Sequence, residues 1–125
     1  MANPNIVNVA AIYGQNSSTS LTTTNATSIV SNAAASGKVY KINMITVANV
    51  DGSAAADITI SKYSAAALGG TAFPIVSTVS VPADATLIVL DKTTSLYLKE
   101  DESIGATAGT ASDLVVTCSW EEINA

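Results

Sequence analysis

The sequence predicts an all-β chain, a single-domain β-sandwich of jelly-roll type with eight to nine short strands. Three observations predict it. Apolar residues recur with a period of two along most of the chain, the pattern of strands that bury one face. Clusters of Gly, Pro, Asn, Asp and Ser separate these runs at close spacing, as sandwiches and barrels require. No amphipathic helix of useful length interrupts the series. At 125 residues the chain fits one domain, and no linker or composition shift divides it.

Each element has its own signal. From Ile6 to Tyr13, alternation places Val7, Val9, Ala11 and Tyr13 on one face. Residues 1–13 therefore read as either an N-terminal arm or a first strand, with Pro4 discouraging helix, and residues 14–125 as the sandwich. Asn16 to Ser20 reads as a polar loop, and Leu21 to Val30 as Thr-rich extended chain ending in a short Ala run. That Ala run is too brief to hold a helix alone.

Val39 to Val50 is the longest strand expected. Tyr40, Ile42 and Met44 share one side, yet Ile45 and Val47 are apolar on the other, so the strand is expected to become covered on both faces. Asp51-Gly52 is a turn signal, and Ala56 to Tyr63 alternates with Ile58 and Ile60 inward; together the two runs read as a hairpin. Gly69-Gly70 reads as a flexible turn. Phe73 to Val81 is weakened by Pro74, which places it at an edge or a strand start. After Pro82-Ala83-Asp84, Leu87 to Leu90 is apolar on both faces, as a central strand would be. Asp91 to Thr94 turns again, Leu96 and Leu98 alternate with polar neighbours, and Glu100-Asp101-Glu102 reads as a solvated acidic connection. Ile104 to Ala108 is a short strand. Leu114, Val116, Cys118 and Trp120 form the inward face of the last one, with Glu121-Glu122 exposed and guarding an end strand.

Composition narrows the chemistry. Hydrophobic residues are 48% of the chain, but many of them are Ala and aromatics are only 5%, so the core is thin and subunit packing is expected to add stability. The net charge is −5, with no His. Nucleic-acid binding needs a basic footprint, which is missing, and the same argument excludes attraction to an anionic membrane surface. No apolar run of membrane-spanning length occurs, and no secretory signal is visible at the N-terminus. Asn16-Ser17-Ser18 and Asn25-Ala26-Thr27 then read as ordinary loop content.

Little remains for catalysis. Without His, Ser-His-Asp and Cys-His arrangements cannot form, and a zinc set or a cupin-type metal site lacks its ligands. Cys118 sits at an inward parity and is expected to behave as a small hydrophobe. Glu100, Asp101 and Glu102 lack the alternating oxygens and Gly of a calcium loop. Facing acids in an aromatic-lined cleft, as a glycosidase needs, are not recognisable, and Gly69-Gly70 lacks the Lys and helix of a phosphate loop. No enzyme activity and no cofactor are expected. Binding and assembly are left, with Ile6, Val7, Val9 and Tyr13 of the arm and Tyr63 and Tyr97 at outward parities as candidate interface residues.

Three segments carry a resemblance: KVYKINMITVANVDGSAAADITIS, VPADATLIVLDKTTSLYLKEDESI and ASDLVVTCSWEEI. Jointly they resemble a loose group of short bacteriophage virion proteins, over about residues 38 to 123. Glu102, where that pattern often has Asp, and Cys118-Ser119-Trp120 depart from it. The resemblance implies a virion structural protein, most like a capsid decoration (cement) protein that binds the outer capsid surface. It further implies the major capsid protein or other virion subunits as partners, a homo-oligomer with the trimer favoured, and synthesis in the bacterial host cytoplasm. A carbohydrate- or receptor-binding module of a tail or fibre is the alternative expectation.

Overall fold

The computed structural model describes residues 4–125. Nine strands follow one another: β1 (Ala11–Ser20), β2 (Thr27–Asn32), β3 (Lys38–Asn49), β4 (Ala56–Ala65), β5 (Gly69–Val81), β6 (Thr86–Leu90), β7 (Leu96–Leu98), β8 (Glu102–Ala108) and β9 (Leu114–Asn124). One 3-10 turn, Lys92–Thr94, separates β6 from β7 and is capped by the Asp91 carboxylate, which accepts from the Thr93 amide at 2.9 Å.

These strands form two antiparallel sheets. The first runs β1-β9-β3-β6, with β7 also paired to β3; the second runs β2-β8-β4-β5. This interleaving of eight strands between two packed sheets is the jelly roll, with β7 as an addition. Ile42, Ile45, Val47, Leu98, Leu114, Val116 and Cys118 from the first sheet meet Ile58, Ile60, Val81, Ile104 and Ala106 from the second. All but Leu114, at 1%, have no exposed surface. Each large side chain so buried contributes about 1.5–3 kcal/mol.

Several expectations are corrected. Asn16 to Ser20 is not a loop, because β1 carries an unbroken register from Ala11↔Asn124 to Ser20↔Val115; polar side chains suit it, since one strand edge faces solvent. The change of apolar parity in β3 does not mark a strand covered on both faces. A bulge between Ile42 and Met44 turns the inward set from Ile42 to Ile45 and Val47. Nor do β3 and β4 form a hairpin: Asp51-Gly52 leads the chain from one sheet to the other. There Asn49 is buried and its amide donates to the carbonyls of Ala54 at 3.0 Å and Val81 at 2.9 Å, fixing the crossing. The strand apolar on both faces, β6, is an edge strand with Ile88 63% exposed.

The Gly69-Gly70 pair opens β5, and the turn is Ala66 to Leu68. Glu121 and Glu122 are half-buried on β9, an interior strand between β1 and β3, and Glu122 lies 3.5 Å from the Lys38 ammonium. Pro74 does lie on an edge strand, β5.

The acidic turn is also not solvated. Glu100 and Glu102 are both 8% exposed. Glu100 accepts from the Gly37 amide at 3.2 Å and Asp101 from the Ala66 amide at 3.0 Å. Glu102 accepts from the Lys99 amide at 2.9 Å and sits 2.9 Å from the Lys62 ammonium. Asp101 takes a left-handed φ of 59°, and its own amide donates to the Asn32 carbonyl at 2.9 Å. Three adjacent acids thus tie together β2, β4, the β4–β5 turn and the residues just before β3 and just after β7 at one end of the sandwich.

Candidate docking surface

Pro4 has no amide hydrogen, and Asn5 opens a tight reversal immediately after it. The Asn5 side chain accepts from the Val7 amide at 3.0 Å, and its carbonyl accepts from the Asn8 amide at 3.1 Å. The reversal lays the start of the segment over the face of the first sheet that points away from the second. Val39 and Ile123 are cross-strand partners on that face. Both are buried, at 4% and 5% exposure, yet they are not part of the central core. Pro4, Ile6, Val39, Tyr97 and Lys99 line a shallow apolar groove of about 260 Å³. Ala10 returns the chain to the sheet, donating to the Asn124 carbonyl at 2.9 Å.

The candidate interface residues are placed as follows. Ile6 is 52% exposed, Val7 91% and Tyr13 53%; Val9 is half-buried. Tyr97 reaches the same groove as Ile6 from β7. Tyr63 is elsewhere: it stands half-buried on the outer face of the second sheet, over Gly105. The boundary drawn between residues 13 and 14 falls inside β1, and Met1 to Asn3 of the arm lie outside the described residues. Sequence reasoning missed Ile12, Val39 and Ile123. Their signal was apolar residues at the parity opposite to the core on three strands that pair side by side, β1, β9 and β3.

The titratable groups are built into the scaffold. Burial pushes the Cys118 thiol up to about 12, so the sulfur stays protonated and unreactive. Burial, and then the Glu122 carboxylate, push the Tyr40 phenol above its ordinary value; its ring stacks on Trp120 with centroids 5.9 Å apart. Asp91 is held below the usual carboxylate range by the hydroxyl and amide of Thr93. Among the described residues, no group of three or more His, Cys, Asp or Glu is placed to hold a metal ion. No helix among them is long and apolar enough to cross a membrane. What the arrangement offers is apolar surface on a rigid frame.

No family model matches the chain, and no curated protein does. Among solved structures, one described as Bacillus endospore appendages, a novel family of disulfide-linked pili, is similar. It has a TM-score of 0.51 and 17% sequence identity, covering 90% of this chain and 88% of that chain. At that identity the likeness extends to the fold: both chains are built on the same sandwich.

Proposed function

We propose that this chain is a structural subunit of a bacteriophage particle, a decoration protein that binds the outer capsid surface and stabilises the shell. The observation that carries the reading is the apolar surface of the N-terminal segment, where Ile6 and Val7 stand exposed beside Tyr97 on a rigid sandwich. The resemblance of residues 38–123 to short virion proteins supplies the particle. The major capsid protein is the partner, and the protein reaches the virion from the cytoplasm of the bacterial host. Docking of this kind needs shape and apolar contact, and many weak contacts on one shell add up to firm attachment. A solved pilus protein uses the same fold for an assembled fibre. Disulfide linkage of the kind named for those pili is closed to this chain, whose single cysteine is buried.

The test is co-sedimentation of the purified chain with undecorated capsids, alongside mass spectrometry of purified particles. The native chain is expected in the particles and to pellet with the shells, whereas Val7→Asp and Ile6→Asp weaken pelleting at least tenfold with unchanged circular dichroism. Absence from particles together with failure to pellet would overturn the reading.

A further inference from the structure

We infer that two copies of this chain join edge to edge through β1, in antiparallel fashion about a two-fold axis. The inference rests on the reading above as an assembly subunit, and it starts from the four strand edges left free among the described residues. A free edge presents unpaired amides and carbonyls, and proteins that stay monomeric interrupt such edges with proline, bulges, charge or short length. Three of the four carry such interruptions. In β5 they are Pro74, Thr78 at a φ of 51°, and three register shifts against β4. β2 has six residues and a shift between Ser28 and Val30. The β6–β7 edge is split by the 3-10 turn and carries a shift between Ile45 and Thr46 on β3.

The fourth edge has none. β1 keeps ten successive partners on β9 without a shift, and its sequence AIYGQNSSTS contains no proline and no charge. Hydrogen bonds at the end of the ladder show which of its amides are free. Leu21, opposite Leu114 in continuation of the β1–β9 register, donates to the Leu114 carbonyl at 2.9 Å, and alternate residues of an antiparallel strand bond the same neighbour; Ala10, which also bonds the Asn124 carbonyl, lies one residue out of that register, before β1 begins. Tyr13, Gln15, Ser17 and Thr19 therefore bond β9. Ile12, Gly14, Asn16, Ser18 and Ser20 turn their amides and carbonyls away from it. All five are exposed, and nothing lies within 4 Å of a Cβ built on Gly14.

The occupant follows from the same comparison. Within a population of identical chains, an uninterrupted ten-residue edge finds an uninterrupted mate only in another β1. Copies of net charge −5 repel, but this strip is uncharged, so no like charges are brought opposite each other. Such a contact is isologous and closes at two subunits. It extends the first sheet through β6-β3-β9-β1 into the β1-β9-β3-β6 of the second copy. A dimer replaces the trimer that the virion resemblance implies.

Proline scanning with the full chain tests this, because parity sets the outcome. Asn16→Pro removes an outward amide and leaves the ladder to β9 whole, whereas Gln15→Pro removes a bonded one. Native mass over a dilution series is expected to show the two-chain species for the unmodified protein. Asn16→Pro and Gly14→Pro should give the one-chain mass, 12.6 kDa, with unchanged circular dichroism. Gln15→Pro is expected to lower the melting temperature. A one-chain mass or a three-chain mass for the unmodified protein would overturn the inference, as would a dimer that survives Asn16→Pro. Hydrogen exchange offers a second reading, with protection of the Asn16 and Ser18 amides lost on dilution. If the dimer forms but neither it nor the monomer binds capsids, the virion reading fails alone; if the chain binds capsids while staying monomeric, edge pairing fails alone.

Discussion

The side chain of Cys118 is fully buried among Ile42, Ile45 and Val116 in the core cluster, and its thiol is pushed up to about 12 from an ordinary 9.0. The folded state therefore holds this proton more tightly than the unfolded chain does. The stability that results is complete below pH 9.0 and drains away as pH rises towards about 12. The loss is about 1.4 kcal/mol per pH unit for one group. Tyr40, also raised, adds in the same direction at higher pH. Urea midpoints of the native chain should fall between about pH 9 and 11, and fall less steeply in Cys118→Ala. A thiol reagent should label the native protein only after denaturation; rapid labelling at neutral pH would contradict the buried placement. Gly105 is a second position set by atoms alone. A Cβ there would lie 2.6 Å from Leu68 Cδ2 and 3.0 Å from Tyr63 Cε2. Gly105→Ala is expected to destabilise by about 1–3 kcal/mol. Adding Leu68→Ala should recover part of that loss, since it removes the nearer clash, and a strictly additive double variant would show that the strain lies elsewhere.

At the scale of elements, the ion pair between Lys62 on β4 and Glu102 on β8 closes one end of the sandwich, with side-chain exposures of 30% and 11%. Its value depends on both partners. Lys62→Met leaves a nearly buried carboxylate without its counter-charge and should destabilise by about 2–3 kcal/mol. In Lys62→Met with Glu102→Gln the charge is gone while an oxygen still accepts from the Lys99 amide. Chemical denaturation should find that double variant more stable than Lys62→Met alone; equal or lower stability would show that the pair contributes through packing only. This turn also shows where the sequence was opaque. Alternation made the inward residues of β4 and β9 legible, because Ile58, Ile60, Leu114, Val116 and Cys118 keep strict parity. Periodicity cannot report a bulge, so the switch at Ile42–Met44 read as double-sided burial. Sheet membership was hidden for a related reason: Asp51-Gly52 marks a change of direction, and only the distant partner Val81 decides that β4 crosses to the other sheet. Acids at a turn look solvated until the groups they bind arrive from Gly37, Ala66 and Lys62, all remote in sequence. The candidate docking surface was half legible. Ile6, Val7 and Tyr97 could be named, whereas Val39 and Ile123 became part of the same face only once their strands were paired.

For the whole molecule, the question is whether two sheets behave as one cooperative unit. The core argues that they do. Neither sheet can bury its apolar face without the other, and Ile45 of the first and Ile60 of the second belong to the same buried cluster with no exposed surface. Polar ties join the ends as well. Asn32 of β2 donates to the carbonyls of Lys38 and Leu98 in the first sheet at 2.9 and 3.2 Å, and Asn49 of β3 reaches Val81 of β5 at the opposite end. A fold held this way should unfold in a single step, so a weakening in one sheet must register in both. Trp120, the single tryptophan, lies on β9 and reports the first sheet by fluorescence. Ile60→Val in the second sheet is expected to lower stability by about 0.5–1.5 kcal/mol. That loss should shift the Trp120 fluorescence midpoint and the far-ultraviolet circular dichroism midpoint by the same amount, and Ile45→Val should do likewise. If Ile60→Val moved the dichroism midpoint and left the fluorescence midpoint in place, the two sheets would be separate cooperative units, and the shared core would not be what makes this frame rigid.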